Sequence, residues 1–269
     1  MKKVIQNAQG QWVYVGDTFQ IIMTRYSDPH RLNLARNAAI YLGKKDRDNV
    51  RRPLSIVRKG HVPAIFRGEH VEFEFIDVSK EVYDHIITYT TANMRAAGGN
   101  RALTSDDFTM PSDKVKNDWV VEQKIKDSLQ NYHDLLDAGE TPQVARAAMP
   151  VNVQMNPFTY QFNFLTLGAS IFSQRIWEKG AQGNTVKVVE GMFRLCENVD
   201  KELWDCFYET YGTPMLEWKE VKRKLKKDNV TVHQLLNTLH DMAMKGEGNP
   251  DENVVDFLVR NYGEIKSMW

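Results

Sequence analysis

The chain has 269 residues, 42% of them hydrophobic and 26% charged, which is enough to bury a sizeable core as one large or two smaller globular domains. Thirty-five basic residues balance thirty-five acidic ones, so no global field favours nucleic acid or an anionic membrane, and any anion must be held by local geometry. Cys196 and Cys206 lack metal-type spacing and read as free thiols in a reducing cytoplasm; the N-terminal MKKVIQNAQGQW lacks a signal-peptide core, and no apolar run spans a bilayer, so a cytoplasmic protein is expected.

Residues 11–26 alternate as two short strands around Gly16-Asp17. A helix is expected from Asp28 to Leu42, with Leu32, Leu34, Ala35 and Ala38 inward, and a short one in LSIVRKG, ending at Gly60. HVEFEFIDV, His70 to Val78, is the clearest strand, with Val71, Phe73 and Phe75 on one face. Ser79 is placed to cap a helix running through KEVYDHIITYTTANM. Ala96–Asp113 reads as a loop whose paired glycines suit close approach to a ligand. A longer helix runs from about Ser112 to Leu136, with Trp119, Ile125, Leu129, Tyr132 and Leu135 near helical spacing. Thr141-Pro142 starts a short helix by cap and first-turn proline. Phe158 to Trp177 reads as one apolar helix interrupted by Asn163, Ser170, Gln174 and Arg175, and Thr185–Asn198 and Lys201–Tyr211 read as helices. The last fifty residues form a helical appendage, which divides the chain into 1–200 and 201–269. The fold class is α+β and helix-dominated.

Most short motifs are absent: no phosphate-binding glycine loop, no dinucleotide fingerprint, no zinc-protease pair and no nucleophile elbow. No metal is expected, because His61 and His70 lack a third ligand and His233 and His240 lie on a surface face. The basic run Lys222–Lys227 reads as a solvated helix face, with phosphate-backbone contact as the alternative. Three arginines stand out instead. Arg146 sits in a helix of small residues, Arg175 interrupts an apolar helix, and Arg101 follows two glycines. A guanidinium so placed needs a carboxylate, a phosphate or a carbonyl cluster.

In order, these residues resemble the flavin-dependent thymidylate synthases (the ThyX family). VARAAMP resembles that family's Ala-Arg-x-x-Leu-Pro element, with Met149 for leucine. FNFLTLGASIFSQRIWEKGAQ resembles its long helix, with Asn163, Arg175 and Ala181-Gln182 in order. RKGHVPAIFRGEHVEFEF resembles its His-x-x-x-Phe-Glu-His segment through His61, Glu69 and His70. The departure falls on the Arg-His-Arg signature, where Thr88-Tyr89-Thr90 stands; Ala96 takes the place of its Glu, and Leu165 that of a second arginine beside the flavin.

The resemblance implies a ThyX-like fold, an antiparallel sheet with a helical bundle, and transfer of a one-carbon unit to C5 of a pyrimidine deoxynucleotide monophosphate, dUMP first. It implies substrate contacts from Arg101, Arg146, Arg175 and His85, with Arg175 also the catalytic group beside the pyrimidine carbonyl. It implies FAD, NADPH and 5,10-methylenetetrahydrofolate as cofactors, the flavin contacts falling on His61, Asn163 and Gln182, with Tyr89 or Asn93 contributing stacking or hydrogen bonds. A homotetramer with shared active sites is implied, with neither nucleic acid nor membrane as partner. The rewritten signature leaves three outcomes open: flavin held by other residues, a different nucleotide or C5 group (dCMP, or hydroxymethylation), or a nucleotide-binding scaffold without catalysis.

Overall fold

The computed structural model describes residues 3–60, 64–89, 95–97 (backbone only), 106–178, 183–247, 249 and 251–267. The chain divides into two compact units, Met1–Thr210 and Tyr211–Trp269. The fold is α+β and helix-dominated, with an antiparallel sheet in the first unit.

Six strands make that sheet: β1 (Lys3–Gln6), β2 (Trp12–Val15), β3 (Gln20–Tyr26), β4 (His70–Ile76), β5 (Arg95–Ala97) and β6 (Phe158–Asn163), in the order β1-β2-β3-β4-β6-β5. The β2–β3 hairpin turns at Gly16-Asp17 as the alternation predicts. β1, a strand too short to signal itself, pairs with β2 through a turn in which Asn7 Oδ1 accepts the Gln9 and Gln11 amides. β4 is central, and its inward row of Val71, Phe73 and Phe75 is fully buried. Register aligns Ile21 and Phe158 on either side of Phe75, and Met23 and Tyr160 on either side of Phe73. The Phe75 and Phe158 rings stack at 4.9 Å, so cross-strand aromatic pairs fix the pairing.

The expected single helix over Phe158–Trp177 is two elements. FTYQFN alternates with period two, buries Phe158, Tyr160 and Phe162, and forms β6. The chain then enters a π-helix, Thr166–Trp177, closed at its end by an i→i−5 bond from Glu178 N to Ser173 O at 2.8 Å.

Helices α1 (Leu32–Tyr41), α2 (Arg52–Arg58) and α3 (Lys80–Ile87) come next in chain order. α1 begins later than Asp28, whose carboxylate instead accepts the amides of Leu32 and Leu34 at 2.8 and 2.9 Å. Leu34, Ala35 and Ala38 are buried as expected, whereas Leu32, on the first turn beyond that cap, is 59% exposed. Ser79 takes the N-cap position of α3, yet its hydroxyl makes no capping bond. The amides of Lys80 and Glu81 donate to the carbonyls of Val153 and Val151 instead, because segment 151–155 crosses the helix start. α3 ends at Ile87, not Met94, where β-branched threonines begin.

α4 (Trp119–Asp137) starts later than Ser112, after a separate 3-10 turn at Asp113–Val115, because the Asp118 side chain caps it there; it buries Ile125, Leu129 and Tyr132, while Trp119 on its first turn is exposed rather than inward. α5 (Pro142–Ala145) starts with the Thr141 cap and first-turn proline read from sequence. α6 (Gly183–Val199) lies on the sheet so closely that a Cβ at Gly191 would stand 2.6 Å from Tyr14. α7 (Lys201–Tyr211) packs into the first unit through Trp204 and Phe207, whose rings meet Phe164, Phe172 and Phe66 at 5.4–5.6 Å.

The second unit holds α8 (Thr213–Lys227), α9 (Val232–Met244) and α10 (Val254–Ser267). Its own core is Val221, Met242, Leu258, Tyr262 and Ile265.

Candidate functional site

Two polar residues bracket the π-helix. Asn163 ends β6, is buried, and accepts the Thr166 amide on Oδ1 at 2.8 Å, so this oxygen starts the helix. At the far end the Arg175 guanidinium lies over the ring of Tyr89, 5.6 Å from its centroid. The Tyr89 hydroxyl donates to Gln174 Oε1 at 2.8 Å. The fold thus brings together two sequence-predicted residues, Tyr89 and Arg175, and adds Gln174, a polar interruption of the apolar run. The adjacency of Gln174 to Arg175 was the available signal, but Tyr89 is 85 residues away, and only tertiary structure pairs them.

Arg175 Nε is buried and has no hydrogen-bond partner among the described residues. No carboxylate among them pairs with this guanidinium either. A cation–π contact of this kind is worth about 0.5–2 kcal/mol, which does not offset the desolvation of an unpaired guanidinium donor. Arg175 is therefore a cation stacked on an aromatic ring, with one buried donor unsatisfied among the described residues.

Arg146 opens a 3-10 turn, Arg146–Ala148, directly after α5, and is half-buried. The following segment supplies the carbonyls of Val151 and Val153 to the first amides of α3. Arg146 and Arg175 are thus borne by segments tied to opposite ends of α3, a helix about 12 Å long at 1.5 Å per residue. His85, on the last turn of α3, contacts the Thr185 hydroxyl of α6 through Nδ1 at 2.6 Å. That contact orients the imidazole plane. Arg101, His61, Asn93 and Gln182 lie outside the described residues.

Glu69 and His70 form a second polar knot at the start of β4. Ser27 Oγ donates to Glu69 Oε2 at 2.5 Å and accepts the His70 amide at 2.8 Å. Burial pushes the Glu69 carboxyl above the ordinary glutamate value, against the Ser27 bond and with help from nearby Asp28. Burial, reinforced by Arg25, pushes the His70 imidazole down, and its Nε2 is buried without a partner among the described residues. A raised carboxyl favours the folded state fully below its unfolded pKa, near 4.5, and loses that contribution as pH rises through the folded pKa. Glu69→Gln is accordingly expected to gain stability relative to wild type as pH rises above 4.5 through that raised pKa, measured by urea unfolding across that range. An unchanged difference would refute the assignment.

A cavity of about 230 Å³, lined by Phe19, Ser79, Phe108 and Lys187 among others, contains none of Arg146, Arg175, Tyr89, His85 or Asn163. Among the described residues, no three His, Cys, Asp or Glu side chains cluster to hold a metal, and no helix is long and apolar enough to cross a membrane. Both cysteines are free and buried, with burial pushing each thiol up.

A family model described as thymidylate synthase complementing protein matches residues 22–200. The chain belongs to that family. No curated protein matches it. The thymidylate synthase complementing proteins are the ThyX proteins that the sequence resembles: thymidylate-synthase-type transferases, flavin-dependent in general, whose substrate is a nucleotide monophosphate. The match runs from β3 to the end of α6 and so contains Arg146, Arg175, Tyr89 and His85, while α7 to α10 lie beyond it.

The family's flavin requirement can be set against the residues described. Tyr89 stands where the family has the central signature His, with its hydroxyl engaged by Gln174 and one ring face covered by Arg175. Leu165, half-buried, replaces an arginine, and Asn163 Oδ1 is occupied by its cap. Among the described residues, these three positions supply no cation toward a flavin.

Proposed function

We propose that this chain transfers a one-carbon unit to C5 of a pyrimidine deoxynucleotide monophosphate, with dUMP as substrate. The family match supports the reaction class, and one observation supports the site: Arg175, stacked on Tyr89 with a buried, unpartnered Nε.

The roles follow from charge. As C5 becomes nucleophilic, negative charge develops on the pyrimidine ring and its carbonyl oxygen. Arg175 is assigned to that carbonyl, where a pre-positioned guanidinium stabilises the charge without reorganising. Tyr89 and Gln174 hold its plane. Arg146 and Arg101 are assigned to the phosphate, whose oxygens match the fork of a guanidinium better than an ammonium point charge. His85 Nε2 is assigned to the nucleotide.

Methylenetetrahydrofolate as carbon donor, and NADPH with FAD as reductants, belong to this proposal through family membership. A homotetramer with shared sites belongs to it too. The exposed apolar residues Leu32, Ile40 and Tyr41 of α1, and Trp119 and Val120 of α4, supply surface that such an assembly would cover.

The rewritten signature favours a second reading, in which a kept nucleotide site works without bound flavin. Absorbance of the purified protein before and after incubation with FAD separates the two. Flavin bound near one per chain is expected under the first reading. A protein that stays colourless and binds dUMP supports the second, and one that binds neither overturns both.

A further inference from the structure

The balanced charge of the whole chain conceals a segregation in the second unit. α8 carries six basic residues and two acidic ones. Five of the cations, Lys219, Lys222, Arg223, Lys226 and Lys227, recur at i, i+3, i+4, i+7 and i+8, which is one face of a helix. All five are exposed. The opposite face is committed inward: Val221 is 4% exposed, and Trp218 and Leu225 pack on the core of the unit.

We propose that this face of α8 binds the phosphate backbone of a nucleic acid. The first support is that four of the five cations make no close ion pair among the described residues. Only Arg223 meets a carboxylate, Glu220, and Lys219, Lys222, Lys226 and Lys227 have no ion-pair partner among the described residues. Lys222 does lie over the Trp218 ring, at 5.7 Å.

The second support comes from other helices of the same chain. Exposed faces of α4 and α7 intersperse signs, with Lys126–Glu122, Lys124–Asp127 and Lys201–Asp205 as close pairs. The α8 stripe instead sets like charges four apart three times: Lys219/Arg223, Lys222/Lys226 and Arg223/Lys227. Each such pair costs a few tenths of a kcal/mol in an isolated helix, so solubility alone does not account for the pattern. The helix dipole favours cations only in the last turn, and Lys219 and Lys222 lie before it.

The chemistry selects the partner. A bilayer surface would be engaged by an amphipathic helix that inserts its apolar side, and here that side is buried in the unit. A stripe spanning about 12 Å of helix, by rise per residue, presents a line of point charges to a line of phosphates. Nothing in the stripe reads bases, so binding is independent of sequence.

The test is fluorescence anisotropy of the full chain with labelled DNA duplex, DNA single strand and RNA duplex of about 20 nucleotides, between about 50 and 200 mM salt. Five phosphate contacts predict a slope of log affinity against log salt of about −4.5 on duplex DNA. The triple variant Lys219→Gln, Lys226→Gln, Lys227→Gln should bring it to about −2 and weaken binding at low salt at least tenfold. The control pair Lys124→Gln, Lys126→Gln should leave it unchanged. The three nucleic acids distinguish which polymer is preferred. Absence of salt-sensitive binding to all three, or binding untouched by the triple variant, overturns the proposal. So does binding to vesicles containing phosphatidylserine without binding to nucleic acid, which would assign the stripe to an anionic membrane.

Discussion

Replacing Arg175 by alanine is expected to lower kcat/KM for the nucleotide substrate by about 10²–10³-fold while leaving the protein folded and about as stable as before. The pairing of the two outcomes discriminates. An arginine kept for structure sits in a salt bridge, and its removal strands a partner charge at a cost of about 3–5 kcal/mol. Arg175 has no carboxylate partner among the described residues, and its Nε is already buried unsatisfied. Its removal therefore forfeits only the stacking on Tyr89, about 1 kcal/mol, and relieves a desolvated donor. Arg175→Lys keeps the charge but loses the planar fork, and should recover only part of the activity. Steady-state kinetics and urea unfolding on the same samples read both quantities. A large fall in stability with little change in kcat/KM would make Arg175 a structural residue.

The second large effect is on folding. Trp204→Ala is expected to cost about 3–5 kcal/mol, a major share of a stability that for ordinary domains is about 5–15 kcal/mol. Trp204 is fully buried, and its ring meets Phe164, Phe172 and Phe207 at 5.3–5.6 Å. Its indole N–H donates to the Tyr26 hydroxyl of β3 at 3.1 Å. That bond joins α7, beyond the end of the family match, to the sheet. Trp204→Phe keeps most of the packing and removes only this donor, so a smaller loss, about 1–3 kcal/mol, is expected. Urea titration should show a lower midpoint with unchanged slope for both. A midpoint for Trp204→Ala within experimental error of wild type would show that α7 does not support the first unit.

Much of this fold was legible because local signals agreed with the tertiary outcome. The β2–β3 hairpin, the alternation of β4 and the Thr141-Pro142 start all follow from patterns within a few residues. Phe158–Trp177 reads as one helix because the apolar run is continuous, and its first six residues alternate too briefly to stand out from the helix beyond. Ser79 sits where a cap should be, but the carbonyls of Val151 and Val153, over seventy residues away, decided how the first amides of α3 are satisfied. Leu32 and Trp119 have core-type side chains on the exposed first turns of their helices, positions that apolar periodicity does not distinguish. At the site, Arg175 announced itself as a cation inside an apolar run. Its partner did not: Tyr89 sits in a threonine-rich segment with no periodicity, and the contact is entirely long-range. The charge balance of the whole chain likewise hid the stripe on α8, because a sum carries no information about faces.

The central claim is that this chain carries out thymidylate-synthase-type chemistry on a pyrimidine nucleotide. Incubating the protein with dUMP, methylenetetrahydrofolate, NADPH and FAD, and analysing the nucleotide by mass spectrometry, tests it directly. The expected result is dTMP that accumulates with protein concentration and falls by about 10²-fold or more in Arg175→Ala. Unchanged dUMP from a flavin-loaded, folded protein would contradict it.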